Sequence, residues 1–270
     1  MLYETIKLSE KYGATLTTYV ASDTPELNKT PRRAIIVCPG GGYHFLSDRE
    51  NEPIARFYMA KGMNAFVLRY SVQDKATNYT PLIEAALAIK HVRENAEKYN
   101  IDPNYVFIVG FSAGGHLAAS TGILWNIPEV KEALGDAPEG IGKPTGMILS
   151  YPVISAGPKA HKGSIQRLCG TQTPTEEEAN RFSLELHVDE TTSPAFIWHT
   201  VEDKTVPVEN SLYLAAALRE KNIPFEMHIY PNGVHGLSLG TEETACGKPS
   251  LLVEHITSWA ELSYKWIMEF

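Results

Sequence analysis

YVFIVGFSAGG, residues 105–115, decides how this chain is read. Tyr105 to Val109 form an unbroken apolar run, suited to a strand buried on both faces. Gly110-Phe-Ser112-Ala-Gly114 follows without a spacer, and Ala113, Gly114 and Gly115 open a helix of small residues. The pattern GxSxG alone is weak, but this context strengthens it. A serine on a sharp strand-to-helix turn needs small residues two positions before and two after, so that strand and helix can pass closely. Its hydroxyl then stands at a helix N-terminus, where the dipole favours developing negative charge. A second copy, Gly236-Leu-Ser238-Leu-Gly240, leads into a polar stretch, and no Asp follows it. Ser238 therefore reads as an ordinary loop serine and Ser112 as the nucleophile.

Outward from this stretch, strand-like and helix-like segments alternate. That is the signature of a largely parallel sheet with helices on both faces. Residues 2–8 and 14–21 read as an opening strand pair. Strands are then expected at 33–38, 64–70, 105–110, 146–151, 195–199 and 225–230. Helices are expected at 50–60, at 113–124, 207–221 and 250–268, and as a long helix opened by Thr80-Pro81, with Thr80 as its cap and Pro81 at its first position. Apolar residues at 82, 83, 86, 87, 89 and 92 give that helix a buried stripe. Residues 126–145 and 155–193 break the beat and read as small cap insertions over the C-terminal edge of the sheet, where open α/β folds bind ligands. The expectation is one α/β domain over 1–270, with a mostly parallel central sheet of about eight strands.

A serine hydroxyl needs an imidazole to take its proton, and the imidazole needs a carboxylate to orient it. In this fold the chain order is Ser, acid, His, the last two on loops after late strands. Of nine histidines, only His235 sits in such a loop, directly after the last strand (Tyr230-Pro-Asn-Gly-Val-His235-Gly). His91, His199 and His228 lie within elements, and His116 packs behind the turn. His44, His161, His187 and His255 lack an acid in the right order. The loop after strand 195–199 offers Asp203, with Glu202 as its competitor. Neighbours on an extended segment point opposite ways, so only one faces the base, and Asp203 is favoured.

Pro39-Gly40-Gly41-Gly42-Tyr43 follows the strand at 33–38. Glycines let the main chain come close to a developing oxyanion. Gly41 and Gly42, with the Ala113 N–H, are the expected donors. A dinucleotide loop fails on spacing, since GxGxxG from Gly40 needs glycine where Phe45 stands, and no Walker lysine follows. Tyr43 and Trp125 are read as walls of the substrate pocket.

PGGGY, GFSAGGH, SPAFIWHTVEDKTVPVENS and HIYPNGVHGLSL, in this order, resemble the esterase/lipase group of α/β hydrolases. Within it the similarity is closest to small bacterial acetyl-xylan-esterase-like carbohydrate esterases. The resemblance runs from about Arg33 to Phe270. It implies the triad Ser112, Asp203 and His235, short-chain ester substrates on carbohydrate, and no metal or cofactor. Many relatives have HGGG where this chain has Pro39 at the first position. Arylformamidase or aminopeptidase chemistry on the same triad, or a binding protein on this scaffold, stays open.

The 270 residues carry a net charge of −8, with an isoelectric point near 5.6. Neither nucleic acid nor an anionic membrane is an expected partner. Three separated cysteines without metal spacing suit reduced thiols. No signal-peptide pattern opens the chain and no apolar run reaches 18 residues, so the expected location is the cytoplasm. The oligomeric state, a homodimer included, stays open at this point.

Overall fold

The computed structural model describes residues 1–24, 26 and 30–270. Eight strands form one sheet: β1 (Thr5–Lys7), β2 (Thr15–Tyr19), β3 (Arg32–Cys38), β4 (Asn64–Arg69), β5 (Ile101–Phe111), β6 (Met147–Ser150), β7 (Ala195–Thr200) and β8 (Phe225–Tyr230). Their order is β1-β2-β4-β3-β5-β6-β7-β8. The pairs β1–β2 and β2–β4 are antiparallel, and every other pair is parallel. Each parallel crossover therefore returns through a helix, as the alternating sequence pattern anticipates.

The apolar runs of β3, β5, β6 and β7 feed two cores at once, because successive side chains point to opposite faces. Ala34, Ile36, Ile108, Leu149 and Ile197 pack against the helices Thr80–Glu94, Ala113–Ile123 and Glu209–Glu220. Ile35, Val37, Phe107, Val109, Ile148, Phe196 and Trp198 pack against the helices Glu52–Ala60 and Ser258–Ile267. On this second face Trp198 and Trp259 stack with ring centroids 5.1 Å apart. Truncating either buried indole would cost roughly 3–5 kcal/mol.

Several local expectations shift. Thr80 is the first helical residue, and the cap position falls to Tyr79, whose φ of 58° turns the chain into the helix. That helix is buried on more than a stripe. Glu84 is itself inside, accepting hydrogen bonds from the Ser71 N–H (2.6 Å) and Oγ (2.7 Å). The last helix begins only at Ser258, after 3-10 turns at Pro249–Leu251 and Glu254–Thr257.

The two insertions lie at opposite ends of the sheet. Residues 155–193 leave the C-terminal end of β6 and carry the helices Lys162–Cys169 and Glu176–Asn180, the first of which stands beside Ser112. Residues 126–145 do not cover the C-terminal edge. They connect the far end of helix Ala113–Ile123 to the start of β6, and Thr145 Oγ1 donates to Asn104 O (2.6 Å) in the first half of β5. Among the described residues no helix is long and apolar enough to cross a membrane.

Candidate active site

β5 ends at Phe111, and Ser112 turns the chain with φ 55° and ψ −117° into helix Ala113–Ile123. A non-glycine residue held there stores on the order of 1–3 kcal/mol of strain. The turn closes tightly. A Cβ on Gly110 would stand 2.0 Å from Gly114 O, and one on Gly114 would stand 2.1 Å from Cys38 O. Any side chain at 110 or 114 would force strand and helix apart. Main-chain bonds pin the bend: the Ser112 N–H donates to Ser150 O (3.0 Å), while Ser112 O accepts from the N–H of His116 (3.0 Å) and Val153 (3.1 Å).

The loops after β7 and β8 bring Asp203 and His235 to this bend. His235 Nε2 lies 2.8 Å from Ser112 Oγ, and His235 Nδ1 lies 2.6 Å from Asp203 Oδ2. Asp203 Oδ1 accepts from the N–H groups of Thr205 and Val206, both at 2.9 Å. Asp203 Oδ2 is also 3.4 Å from His199 Nε2, which has Val206 O at 2.9 Å. Burial works against the charged form of Asp203. The hydrogen bonds from His199 and His235, the His235 charge and the Val206 N–H outweigh it and hold the carboxyl below its ordinary range.

Glu202 points elsewhere: its Oε2 accepts from the Gly233 N–H (3.1 Å) and so braces the loop that carries His235. Thr200 Oγ1 donates to Gly233 O (2.8 Å), and the Val201 N–H donates to Tyr230 O (2.9 Å), lacing the two loops together.

The glycine loop after β3 faces Ser112 from the other side. Gly41 has φ 131°, and a Cβ there would meet Phe45 O at 2.0 Å, so no larger residue fits this turn. Among the described residues the N–H groups of Gly41, Gly42 and Ala113 donate to no protein acceptor. Two groups hold the loop at Pro39 and Gly40. Tyr70 Oη donates to Pro39 O (2.6 Å), and the Gly40 N–H donates to Glu50 Oε2 (2.9 Å).

Glu50 is buried, and sequence reasoning missed it. Its Oε1 accepts from Tyr151 Oη (2.6 Å), and Tyr151 Oη accepts from the Ser238 N–H (2.9 Å). Burial first, then the neighbouring Glu50, hold the Tyr151 phenol well above its ordinary value, so it keeps the proton it donates. The Tyr151 ring stands edge-on to His235, centroids 5.1 Å apart. One carboxyl group thus ties the glycine loop to the histidine loop. Ser238, a loop serine that is buried, completes this support: its Oγ donates to Arg49 O (2.6 Å), and its carbonyl accepts from Trp259 Nε1 (2.9 Å).

Ser112 and His235 line a cavity of about 420 Å³, with Gly41, Gly42, His44, Phe45, Glu50, His161 and Arg167 among its walls. Burial and then the charges of His235 and Arg167 push the His161 imidazole below its ordinary value, with Asp203 opposing. Both expected pocket walls lie elsewhere. Tyr43 is buried in the core, its Oη 2.9 Å from His116 Nδ1, because φ 56° turns its side chain inward from the loop. Trp125 stands beyond the far end of helix Ala113–Ile123. Its Nε1 donates to Thr191 Oγ1 (3.1 Å), and Lys143 Nζ lies 5.1 Å from its ring centre. An eleven-residue helix is about 16 Å long, which removes Trp125 from Ser112. Among the described residues no group of three histidine, cysteine or acidic side chains is placed to hold a metal ion.

Known proteins resemble this chain along most of its length. Endo-1,4-beta-xylanase B of Butyrivibrio fibrisolvens is 42% identical over 219 residues, 80% of this chain and 34% of that protein. An acetylxylan esterase of Xylanibacter ruminicola is 32% identical over 214 residues, 77% of this chain and 42% of that protein. The chain thus spans less than half the length of these two curated relatives. The crystal structure of an acetyl ester-xyloside bifunctional hydrolase from Caldicellulosiruptor lactoaceticus matches with a TM-score of 0.83 at 35% identity, covering 98% of this chain and 96% of that one. With the BD-FAE family model matching residues 23–218, the chain belongs to the BD-FAE family and carries the α/β-hydrolase fold.

Proposed function

We propose that this chain is a serine esterase that removes short acyl groups, acetyl foremost, from carbohydrate such as acetylated xylo-oligosaccharides. The observation that carries the reading is the relay from Asp203 through His235 to Ser112 Oγ, with contacts of 2.6 and 2.8 Å, ending beside three N–H groups without a protein acceptor. The carbohydrate part of the reading is supported by relatives bearing the names xylanase, acetylxylan esterase and acetyl ester-xyloside hydrolase.

In this mechanism His235 Nε2 takes the Ser112 proton as Oγ attacks the ester carbonyl. The carbonyl π electrons move onto oxygen, which accepts from the N–H groups of Gly41, Gly42 and Ala113. Each such donor is worth roughly 3–4 kcal/mol in the transition state. The oxyanion collapses, the C–O bond to the alcohol breaks, and His235 returns its proton to the departing oxygen. Water, deprotonated by His235, then attacks the acyl-serine; release of the acid restores Ser112. Asp203 holds the imidazole in the tautomer with Nδ1 protonated and stabilises the imidazolium. The three cysteines are free thiols, which suits a reducing cytoplasm.

The test is a panel of p-nitrophenyl esters of increasing acyl length, with acetylated xylose, N-formylkynurenine and an aminoacyl amide beside it. The reading expects acetate to be the best ester, the formamide and amide to be poor, and turnover to vanish in Ser112→Ala. Undiminished turnover in that variant, or preference for the amides, overturns it.

A further inference from the structure

The cavity around Ser112 shares two of its lining residues with a neighbouring cleft. His44 and Arg167 also line a second cleft, of about 480 Å³, whose remaining side chains include Gln73, Asp74, Thr77, Gln166 and Gln172. The two spaces together fall within the range of a site that takes an extended ligand.

The chemistry of the second cleft is one-sided. Among the described residues no Val, Leu, Ile or Met side chain lines it, and its walls are amides, hydroxyls, one imidazole, one acid, one guanidinium and a glycine. Asp74 and Arg167 balance in charge, so the cleft favours neither an anion nor a cation. Several groups keep hydrogen-bonding capacity to spare. Gln166 Nε2 donates to Gln172 O (2.7 Å), which leaves its amide oxygen as an acceptor. Arg167 Nη1 donates to Gly163 O (2.7 Å), which leaves the rest of the guanidinium fork. Among the described residues Asp74 accepts no hydrogen bond from the protein. An aliphatic acyl chain laid here would strip water from these groups and return nothing. A ring bearing several hydroxyls, each both donor and acceptor, would replace that water group for group.

The cleft is also built onto the catalytic loop. Gln73 sits at φ 57° in the short turn Gln73–Lys75, and its N–H donates to Tyr43 O (2.7 Å), directly after the glycine loop. Gln166 and Arg167 lie on the helix Lys162–Cys169, which also presents Ser164 to His161 Nδ1 (2.9 Å) at the Ser112 cavity. Both walls are therefore positioned by the elements that frame the nucleophile.

We propose that this cleft is the subsite for the leaving alcohol, and that it binds a neutral sugar residue next to the one bearing the ester. Specificity then resides in the length of the sugar chain, read by Gln73, Asp74, Gln166 and Arg167, while the acyl group stays beside Phe45 and the glycine loop. This rests on the esterase reading of Ser112.

The test compares kcat/KM for acetylated xylotriose with kcat/KM for p-nitrophenyl acetate in wild type, Asp74→Ala and Gln166→Ala. The ratio of the two should fall about tenfold in each variant, through a raised KM for the oligosaccharide, as expected for one lost hydrogen bond to a charged or well-ordered partner. An unchanged ratio, or a fall confined to kcat, overturns the proposal. A second arm needs no turnover: xylotriose without acetyl groups is titrated into Ser112→Ala by calorimetry. Binding that weakens when Gln166→Ala is added supports the subsite; binding indifferent to that change, or absent, overturns it. Failure of wild type to turn over p-nitrophenyl acetate would instead defeat the esterase reading, independently of the titration.

Discussion

Glu50→Gln removes one oxygen from a group that touches the glycine loop and, through Tyr151, the histidine loop. In the native arrangement both carboxyl oxygens accept, Oε2 from the Gly40 N–H at 2.9 Å and Oε1 from Tyr151 Oη at 2.6 Å. An amide offers one acceptor and one donor. If its oxygen faces Gly40, its NH₂ meets the Tyr151 hydroxyl, which already accepts from the Ser238 N–H. If its oxygen faces Tyr151, its NH₂ opposes the Gly40 N–H. Either way one buried group loses its partner, at about 1.5–3 kcal/mol for a bond to a charged acceptor. In the proposed mechanism the loss is felt at the transition state in particular, because there Gly41 and Gly42 hold their N–H groups on the oxyanion, and losing one such donor costs about 2.7–4 kcal/mol. The expected result is a 10- to 100-fold fall in kcat on p-nitrophenyl acetate with KM changed little, and a urea midpoint lowered in the same protein. Glu50→Ala should be at least as severe. A folded Glu50→Gln protein with kcat within twofold of wild type would refute the bracing role of this side chain.

Other consequences follow from the same geometry. Asp203→Asn should lower kcat by about 10³–10⁴-fold by favouring the wrong His235 tautomer, whereas Glu202→Gln, whose partner is the Gly233 N–H, should change kcat less than fivefold; parallel kinetics on one ester decide between the two acids. His116 is held neutral by burial, which lowers its pKa to about 4 against the bond to Phe182 O. Below pH 6.5 the unfolded chain binds a proton that the folded chain refuses, so stability falls as pH drops from about 6.5 to about 4, by on the order of 3 kcal/mol in total. Urea unfolding at pH 7 and pH 5 measures this, and His116→Gln should flatten the slope by about one proton; an unaltered slope would remove His116 as its source.

The parts of this site legible in the sequence were those with short-range signatures. The bend at Ser112 needs an apolar strand, small flanking residues and a helix start, all within eleven positions. Asp203 and His235 were found because loops after parallel strands share one edge, so chain order alone places them near the bend. Glu50, Tyr151, His161 and Arg167 carry no such local mark. Glu50 and Tyr151 are 101 positions apart and meet only because β3 and β6 flank β5 in the sheet. Trp125 lies away from Ser112 because the helix that follows Ser112 runs away from it, a distance that helix length alone gives. Tyr43 was misplaced because a positive φ after the glycines turns its ring into the core, which composition does not announce. Residues 126–145 were put on the wrong edge for the same reason as Trp125: a segment between a helix end and the next parallel strand start lies opposite the catalytic loops.

The central claim, that the imidazole at 235 activates the hydroxyl at 112, is tested most directly by covalent labelling of folded protein with a fluorophosphonate, followed by peptide mass mapping. The account predicts one adduct per chain, on the peptide containing Ser112, formed at least 100-fold more slowly in His235→Ala. Labelling at Ser238 or elsewhere, or no adduct in a protein shown to be folded, would contradict it.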